Sequence, residues 1–185
     1  MTLTPDNNLA PHLAGKKVLL TGGTGFVGRH LLPQLLAAGA EVTCLTRAAS
    51  RTGHLPQGVA TAQADLTTGA GLEQALQGKD VVIHMAALLF GLGWQDYLRA
   101  NALAARSLAG ALSRLTAEGG LGRDFRFVLV SSLAATGPSG VAPGVNDATP
   151  TAPVSAYGWS KMLTEQVLGR ALGQSLVTLR PPIIY

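Results

Sequence analysis

Residues 17–28 read Lys-Val-Leu-Leu-Thr-Gly-Gly-Thr-Gly-Phe-Val-Gly, and the order of residue types there decides the fold. Lys17–Thr21 is apolar almost throughout, as a strand buried on both faces must be, and it runs straight into glycines. Phe26–Ala38 follows as an apolar helical pattern closed by Gly39. Between strand and helix the spacing satisfies both Gly23-x-Gly25-x-x-Gly28 and Gly22-x-x-Gly25-x-x-Gly28. Such a turn lets backbone N–H groups approach a pyrophosphate, with the helix N-terminus adding favourable dipole charge. Gly22, Gly23, Thr24, Gly25, Phe26, Val27 and Gly28 are therefore expected to bind a dinucleotide cofactor. Pro33 inside the helix should kink it or displace its first turn, because proline cannot donate a backbone hydrogen bond.

Outward from this unit, strands and helices alternate. Strands are expected at Glu41–Thr46, Val59–Ala64, Val81–His84, Phe125–Ser131 and Ser175–Arg180. Helices are expected at 71–77, over one long Ala/Leu/Arg-rich stretch at 94–118, and at Tyr157–Leu172. A Gly/Pro-rich loop at 135–153 is long enough to serve a function. Alternation of this kind predicts an α/β fold, a doubly wound, mostly parallel sheet (Rossmann fold) of strand order 3-2-1-4-5-6 with helices on both faces. Residues 1–15 read as a polar lead-in and 16–185 as one dinucleotide-binding domain, with no internal repeat or linker.

The composition bounds the function. Of 185 residues, 47% are hydrophobic and only 13% charged, which suits a compact domain and excludes a disordered chain. The net charge of +4 comes from scattered residues with no run of three Lys or Arg, so an anionic cofactor explains it better than nucleic acid. Cys44 is the single cysteine, in an apolar strand, and reads as an inert core residue. The N-terminus lacks a signal-peptide pattern, and no apolar run approaches the roughly eighteen residues of a membrane span. A soluble, cytoplasmic protein without a membrane or nucleic-acid partner is the expectation.

Tyr157 and Lys161 are four residues apart on a predicted helix, so they share a face. A nearby ammonium favours the phenolate and should pull the phenol's pKa toward the working range. Lys161 should also reach the ribose of the cofactor. Ser131 and Ser132 end the fifth strand, at the sheet edge where open α/β sheets bind ligands, and either hydroxyl could hold a substrate oxygen. An acidic residue after strand two would favour NAD, but Thr46-Arg47 stands there, with Arg51 further on. An arginine suits the extra phosphate of NADP, which is taken as the preferred cofactor with NAD as the second choice. A solvated surface arginine is the other reading of Arg47.

Together these motifs resemble the extended short-chain dehydrogenase/reductases, also called the NAD-dependent epimerase/dehydratase family, over nearly the whole chain from about residue 16. Thr21–Gly28 resembles its glycine turn, and Asp65-Leu66 is similar to its adenine-contacting pair. His84-Met-Ala86-Ala87 resembles its H-x-A-A cofactor segment. Asn101 falls where the family has a helical Asn, though here Asn-Ala-Leu-Ala-Ala replaces the usual N-x-x-G-T. Counting back from Gly137, the family's catalytic Ser/Thr falls on Ser132, with Ser131 beside it against the cofactor. Tyr157-Gly-Trp-Ser-Lys161 matches its YxxxK, and Arg180-Pro181-Pro-Ile-Ile-Tyr185 is similar to its R-P-x-x-x-Y-G segment, which borders the nicotinamide. The resemblance implies Tyr157 as acid/base, Lys161 as the residue that lowers its pKa and holds the ribose, and Ser132 as the orienter of the substrate oxygen.

Members of that family continue for about a hundred residues more, which form the substrate region. The expectation is therefore a C-terminally truncated chain that binds cofactor weakly and turns over little substrate, with exposed apolar surface favouring association, a homodimer included. The leading reading is an NAD(P)-dependent oxidoreductase acting on a small molecule at a carbonyl or alcohol carbon. Its alternatives are a nucleotide-sugar epimerase or dehydratase using the same residues, and a non-catalytic NAD(P)-binding regulatory module. The apolar stretch 88–94 and the 135–153 loop are expected to face the substrate and argue against a nucleotide-sugar.

Overall fold

A computed structural model describes residues 10–91, 93–140 and 144–184. Leu92 and residues 141–143 of the two expected substrate-facing segments, and Tyr185 of the last motif, lie outside the described residues. Six strands form one sheet: β1 (Lys17–Thr21), β2 (Glu41–Thr46), β3 (Ala60–Gln63), β4 (Val81–His84), β5 (Arg126–Val130) and β6 (Leu176–Leu179). All neighbours are parallel and the order is β3-β2-β1-β4-β5-β6, as expected.

The helices are α1 (Ala10–Leu13), α2 (Phe26–Ala37), α3 (Leu72–Leu76), α4 (Trp94–Tyr97), α5 (Ala104–Ala117) and α6 (Ala156–Leu172). Successive residues of β1 show why the strand is apolar without alternation. Val18 and Leu20 pack with Leu32 and Leu35 of α2 on one face of the sheet. Leu19 joins Leu72, Leu76, Leu108, Leu112 and Leu168, from α3, α5 and α6, on the other. Both faces are therefore covered, as a parallel sheet requires.

Two expectations need correction. Helix α2 runs continuously from Phe26 to Ala37 with Pro33 inside it, so its first turn is not displaced. Pro33 is on the exposed side of that helix, where a carbonyl deprived of its donor can turn to water. The long helix at 94–118 is not uniform: Leu98–Leu103 forms a π-helical segment between α4 and α5. Asn101 lies within it, buried and bonded to partners outside the helix, described below. Among the described residues no helix is long and apolar enough to cross a membrane.

Candidate active site

Because every strand runs the same way, Thr21, Thr46, His84, Val130 and Leu179 all end at one edge of the sheet. The chain leaves β1 toward β2 and β3, then returns on the other side of β1 as β4. That reversal opens a crevice between the ends of β1 and β4. The loops after those strands meet there backbone to backbone. Gly22 has φ +76°, and a Cβ on it would lie 2.8 Å from the Ala86 nitrogen. Thr21 ties the same loops together, its hydroxyl accepting from the Ala86 N–H at 3.2 Å and sharing a 2.7 Å hydrogen bond with His84 Nδ1.

The glycines separate into two kinds. A Cβ on Gly23 would lie 2.5 Å from Cys44 Sγ, and one on Gly28 would lie 2.3 Å from the Gly23 carbonyl oxygen. Packing alone demands glycine at those positions. On exposed Gly25 a Cβ would meet only the Gly22 carbonyl oxygen, at 3.2 Å. The fold asks far less of Gly25, yet it is the N-cap of α2 and no side chain caps the helix there. The open N–H groups of the first turn, around Phe26 and Val27, are left to an outside anion. This arrangement fits a dinucleotide pyrophosphate.

Around the crevice the other expected cofactor residues are spread unevenly. Arg47 follows β2 directly and is exposed, its N–H donating to Ser50 Oγ at 3.0 Å. Asp65 is exposed after β3 and already has structural work. Its Oδ1 accepts from the N–H groups of Thr67 at 2.7 Å and Thr68 at 3.2 Å, building the turn into α3. Leu66 packs against the core, and Ala86 and Ala87 are half-buried along the β4 loop.

The Tyr157 end is assembled by a close contact that sequence reasoning missed. Ser132, two residues past β5, caps a single 3-10 turn, Leu133–Ala135, its Oγ accepting from the Ala134 N–H at 3.1 Å. Helix α6 starts on Ser155, whose Oγ accepts from the Gly158 N–H at 3.0 Å. Gly158 lets α6 lie on the 3-10 turn: a Cβ there would be 2.2 Å from the Ala134 carbonyl oxygen. This contact brings Tyr157 to Ser132. Burial pushes the Tyr157 phenol above its usual pKa, while hydrogen bonding from the Ser132 side chain opposes the rise.

Lys161 does not act on the phenol as expected. It is 2% exposed, and its ammonium donates to the Val130 carbonyl at 2.9 Å. Burial lowers its pKa to about 8, with the Glu165 carboxylate opposing the fall. The net shift of Tyr157 is upward, opposite to the expected pull, because desolvation of the phenol dominates. Ser131 is buried, and its hydroxyl donates to the Glu165 carboxylate, the same group that Arg180 of the last motif pairs with. Pro181 borders this edge, its carbonyl accepting from the Leu133 N–H at 3.1 Å.

Further residues were not singled out by chemistry in the sequence. Tyr97 stacks edge-on against Tyr157 with ring centroids 6.1 Å apart, and its hydroxyl donates to the Leu89 carbonyl at 3.1 Å. Asn101 is 2% exposed and grips three groups. Its Oδ1 accepts from the Leu88 N–H at 2.8 Å, and its Nδ2 donates to the Leu88 carbonyl at 3.3 Å and to Ser160 Oγ at 2.9 Å. That settles a structural role for Asn101: it locks the strap after β4 onto α6. Spacing held the clue, since Tyr97 and Asn101 are one turn apart, as are Tyr157, Lys161 and Glu165. Beside the strap, whose Leu89, Phe90 and Trp94 are exposed, opens a cavity lined by Leu88, Phe90, Asp96 and Arg99 among others.

Comparison with known proteins agrees with this geometry. The UDP-glucose 4-epimerase of Azospirillum brasilense is 32% identical over 177 residues, covering 90% of this chain and 49% of that protein. The ceramide reductase of Caulobacter vibrioides is 34% identical over 172 residues, covering 91% of this chain and 46% of that one. The solved structure of the Bordetella bronchiseptica enzyme WbmG in complex with NAD superposes with a TM-score of 0.75 at 25% identity, covering 92% of this chain and 54% of that one. The chain thus spans about half the length of the curated relatives it matches. Residues 18–185 match the description of the NAD dependent epimerase/dehydratase family, and by that match the chain belongs to it.

Proposed function

We propose that the chain serves an NAD(P)-dependent oxidoreductase of the extended short-chain dehydrogenase/reductase type, with Tyr157 as the acid/base. The observation that carries this is the meeting of Tyr157 with Ser132 at the carboxyl edge of the sheet, with Lys161 buried one turn along the same helix. Bound at the glycine turn, the nicotinamide cofactor supplies or accepts the hydride. Ser132 orients a substrate oxygen, and Tyr157 gives that oxygen its proton or takes it away. Burial raises the phenol's pKa, so Tyr157 keeps its proton at neutral pH and is a weaker acid than a free phenol. The ammonium of Lys161 is fixed at the end of β5, beside the crevice, where it would hold the ribose.

The test is Tyr157→Phe in the complete protein. Dinucleotide affinity should stay as in the wild type while turnover falls by about 10²- to 10⁴-fold, the usual worth of a positioned acid/base. Turnover unchanged in Tyr157→Phe refutes the assignment. NADP preference rests on exposed Arg47 at the end of β2. In Arg47→Ala, NADPH affinity should fall by roughly 10- to 100-fold, the value of a charge-assisted hydrogen bond, with NADH affinity little changed. Equal effects on the two cofactors would remove that preference.

A second reading is favoured by a specific observation, the similarity to a UDP-glucose 4-epimerase. A bound nicotinamide would then take a hydride from a sugar and return it, the same residues moving the proton, with no net redox change. Against it stands the exposed apolar strap of Leu89, Phe90 and Trp94, which suits an apolar substrate and agrees with the similarity to a ceramide reductase. Net change in reduced-cofactor absorbance with an apolar carbonyl substrate, and none with a nucleotide-sugar, distinguishes the two.

A further inference from the structure

Glu165 lies one turn beyond Lys161 on α6, and its side chain is only 10% exposed. Three elements converge on its carboxylate. Arg180, directly after β6, holds it with two hydrogen bonds, Nε to Oε1 at 3.0 Å and Nη2 to Oε2 at 2.7 Å. Ser131, directly after β5, donates its hydroxyl to Oε1. The Ser131 N–H in turn donates to the Leu179 carbonyl at 2.7 Å, which closes β5 onto β6 beyond the last ladder pair. Nothing in the cofactor reading needs Glu165, yet Ser132, Lys161 and Pro181 each stand next to one of its contacts.

We propose that Glu165 is a positioning residue of the Tyr157–Lys161 centre, its carboxylate clamping the ends of β5 and β6 to α6 and standing as the fixed counter-charge of the Lys161 ammonium. The proposal rests on the reading of Lys161 as the partner of Tyr157. A bidentate guanidinium fork explains why the carboxylate has one orientation, and burial explains why its charge matters at short range. The charged and titratable groups that bear on Lys161 are Glu165 on its own helix, His84 on β4, and Arg180 after β6 through Glu165. Among these Glu165 is the anion opposing the effect of burial on Lys161, and His84, itself deeply buried, is held neutral.

The experiment follows the side-chain carbons of Lys161 by NMR in the lysine-labelled chain without cofactor, where Lys16, Lys17 and Lys79 are the other lysines. Wild-type Lys161 should titrate near about 8. Glu165→Gln should lower that midpoint by about one unit, the smaller end of the effect of a nearby opposite charge. Glu165→Asp keeps the charge and draws it back, so its midpoint should lie between the two. An unmoved Lys161 midpoint in folded Glu165→Gln overturns the proposal. Where that variant does not fold, a wild-type midpoint in Glu165→Asp overturns it instead. NADH and NADPH titrations of the wild type keep the two readings apart. A lowered Lys161 midpoint without dinucleotide binding supports the counter-charge and refutes the cofactor reading. Dinucleotide binding with an unmoved midpoint does the reverse.

Discussion

Two glycines of α6 offer the same substitution with opposite outcomes. Glycine in a helix costs up to about 1 kcal/mol relative to alanine, so Gly→Ala should stabilise wherever space allows. At Gly169 a Cβ meets nothing within 4 Å, and the propensity gain is all that remains. At Gly158 a Cβ would lie 2.2 Å from the Ala134 carbonyl oxygen, whereas ordinary contact begins at 3.4 Å, so helix and 3-10 turn must part by about 1.2 Å. The obstacle is backbone and cannot rotate away. Forced separation of packed elements costs about 1–3 kcal/mol, and a shift above 1 Å belongs at the upper end. Less the propensity gain, Gly158→Ala should lose about 2 kcal/mol and Gly169→Ala should gain close to 1.

For a domain of this size each kcal/mol moves Tm by about 2–4 °C. Thermal unfolding should therefore place Gly158→Ala roughly 4–8 °C below the wild type and Gly169→Ala a few degrees above it. A functional signature accompanies the first alone. The displaced turn carries Ser132, and a misplacement near 1 Å at reacting groups costs about 10²-fold in rate. Gly158→Ala as stable as Gly169→Ala, or more so, would show that the contact with Ala134 does not set the position of α6, and the reasoning fails.

Two other perturbations follow from the buried polar groups. Burial holds His84 down at about 3, well below its unfolded value of 6.5. The unfolded chain then binds the proton first, so this stability is complete above about 6.5 and is lost as pH falls toward 3, by at most roughly 4–5 kcal/mol at 1.36 per unit. Urea midpoints across that window should fall more steeply in the wild type than in His84→Asn; parallel curves would contradict it. Asn101→Ala removes three hydrogen bonds and leaves the backbone of Leu88 and the Ser160 hydroxyl with fewer partners. A loss of about 3 kcal/mol in chemical denaturation is expected, and a loss under about 1 would show that the strap is held by packing instead.

What the sequence made legible was local. The run from Lys17 to Gly28 states its own strand, turn and helix through its apolar run and glycine spacing, although Gly22 and Gly23 are also constrained from outside, by Ala86 and Cys44. Tyr157 and Lys161 were legible because a helix fixes their relation. The π segment at Leu98–Leu103 was not, and within it Asn101 reaches Leu88 and Ser160, partners set only by the tertiary fold. The pairing of Glu165 with Arg180 joins a helix to the end of a strand across a turn that no periodicity describes. Likewise Gly158 reads in sequence as a weak helix residue, and its reason appears only when Ala134 lies against it.

The sign of the Tyr157 shift shows where inference from spacing stops. Two side chains on one helix face are neighbours, but the effect of an ammonium on a phenol depends on what else competes for each. Here Lys161 donates to the Val130 carbonyl and answers to the Glu165 carboxylate, while Tyr157 loses water to the packing of Tyr97 and the turn of Ser132. Desolvation disfavours the phenolate and the ammonium alike, so the phenol rises above its usual value while the ammonium falls to about 8, and the two move apart. The phenol is left the weaker acid of the two, so passing a proton from Tyr157 to Lys161 costs more than between the same groups in water. Burial therefore opposes what the spacing alone attributed to charge, and it holds only while Gly158, Asn101 and Glu165 keep that edge of the sheet closed.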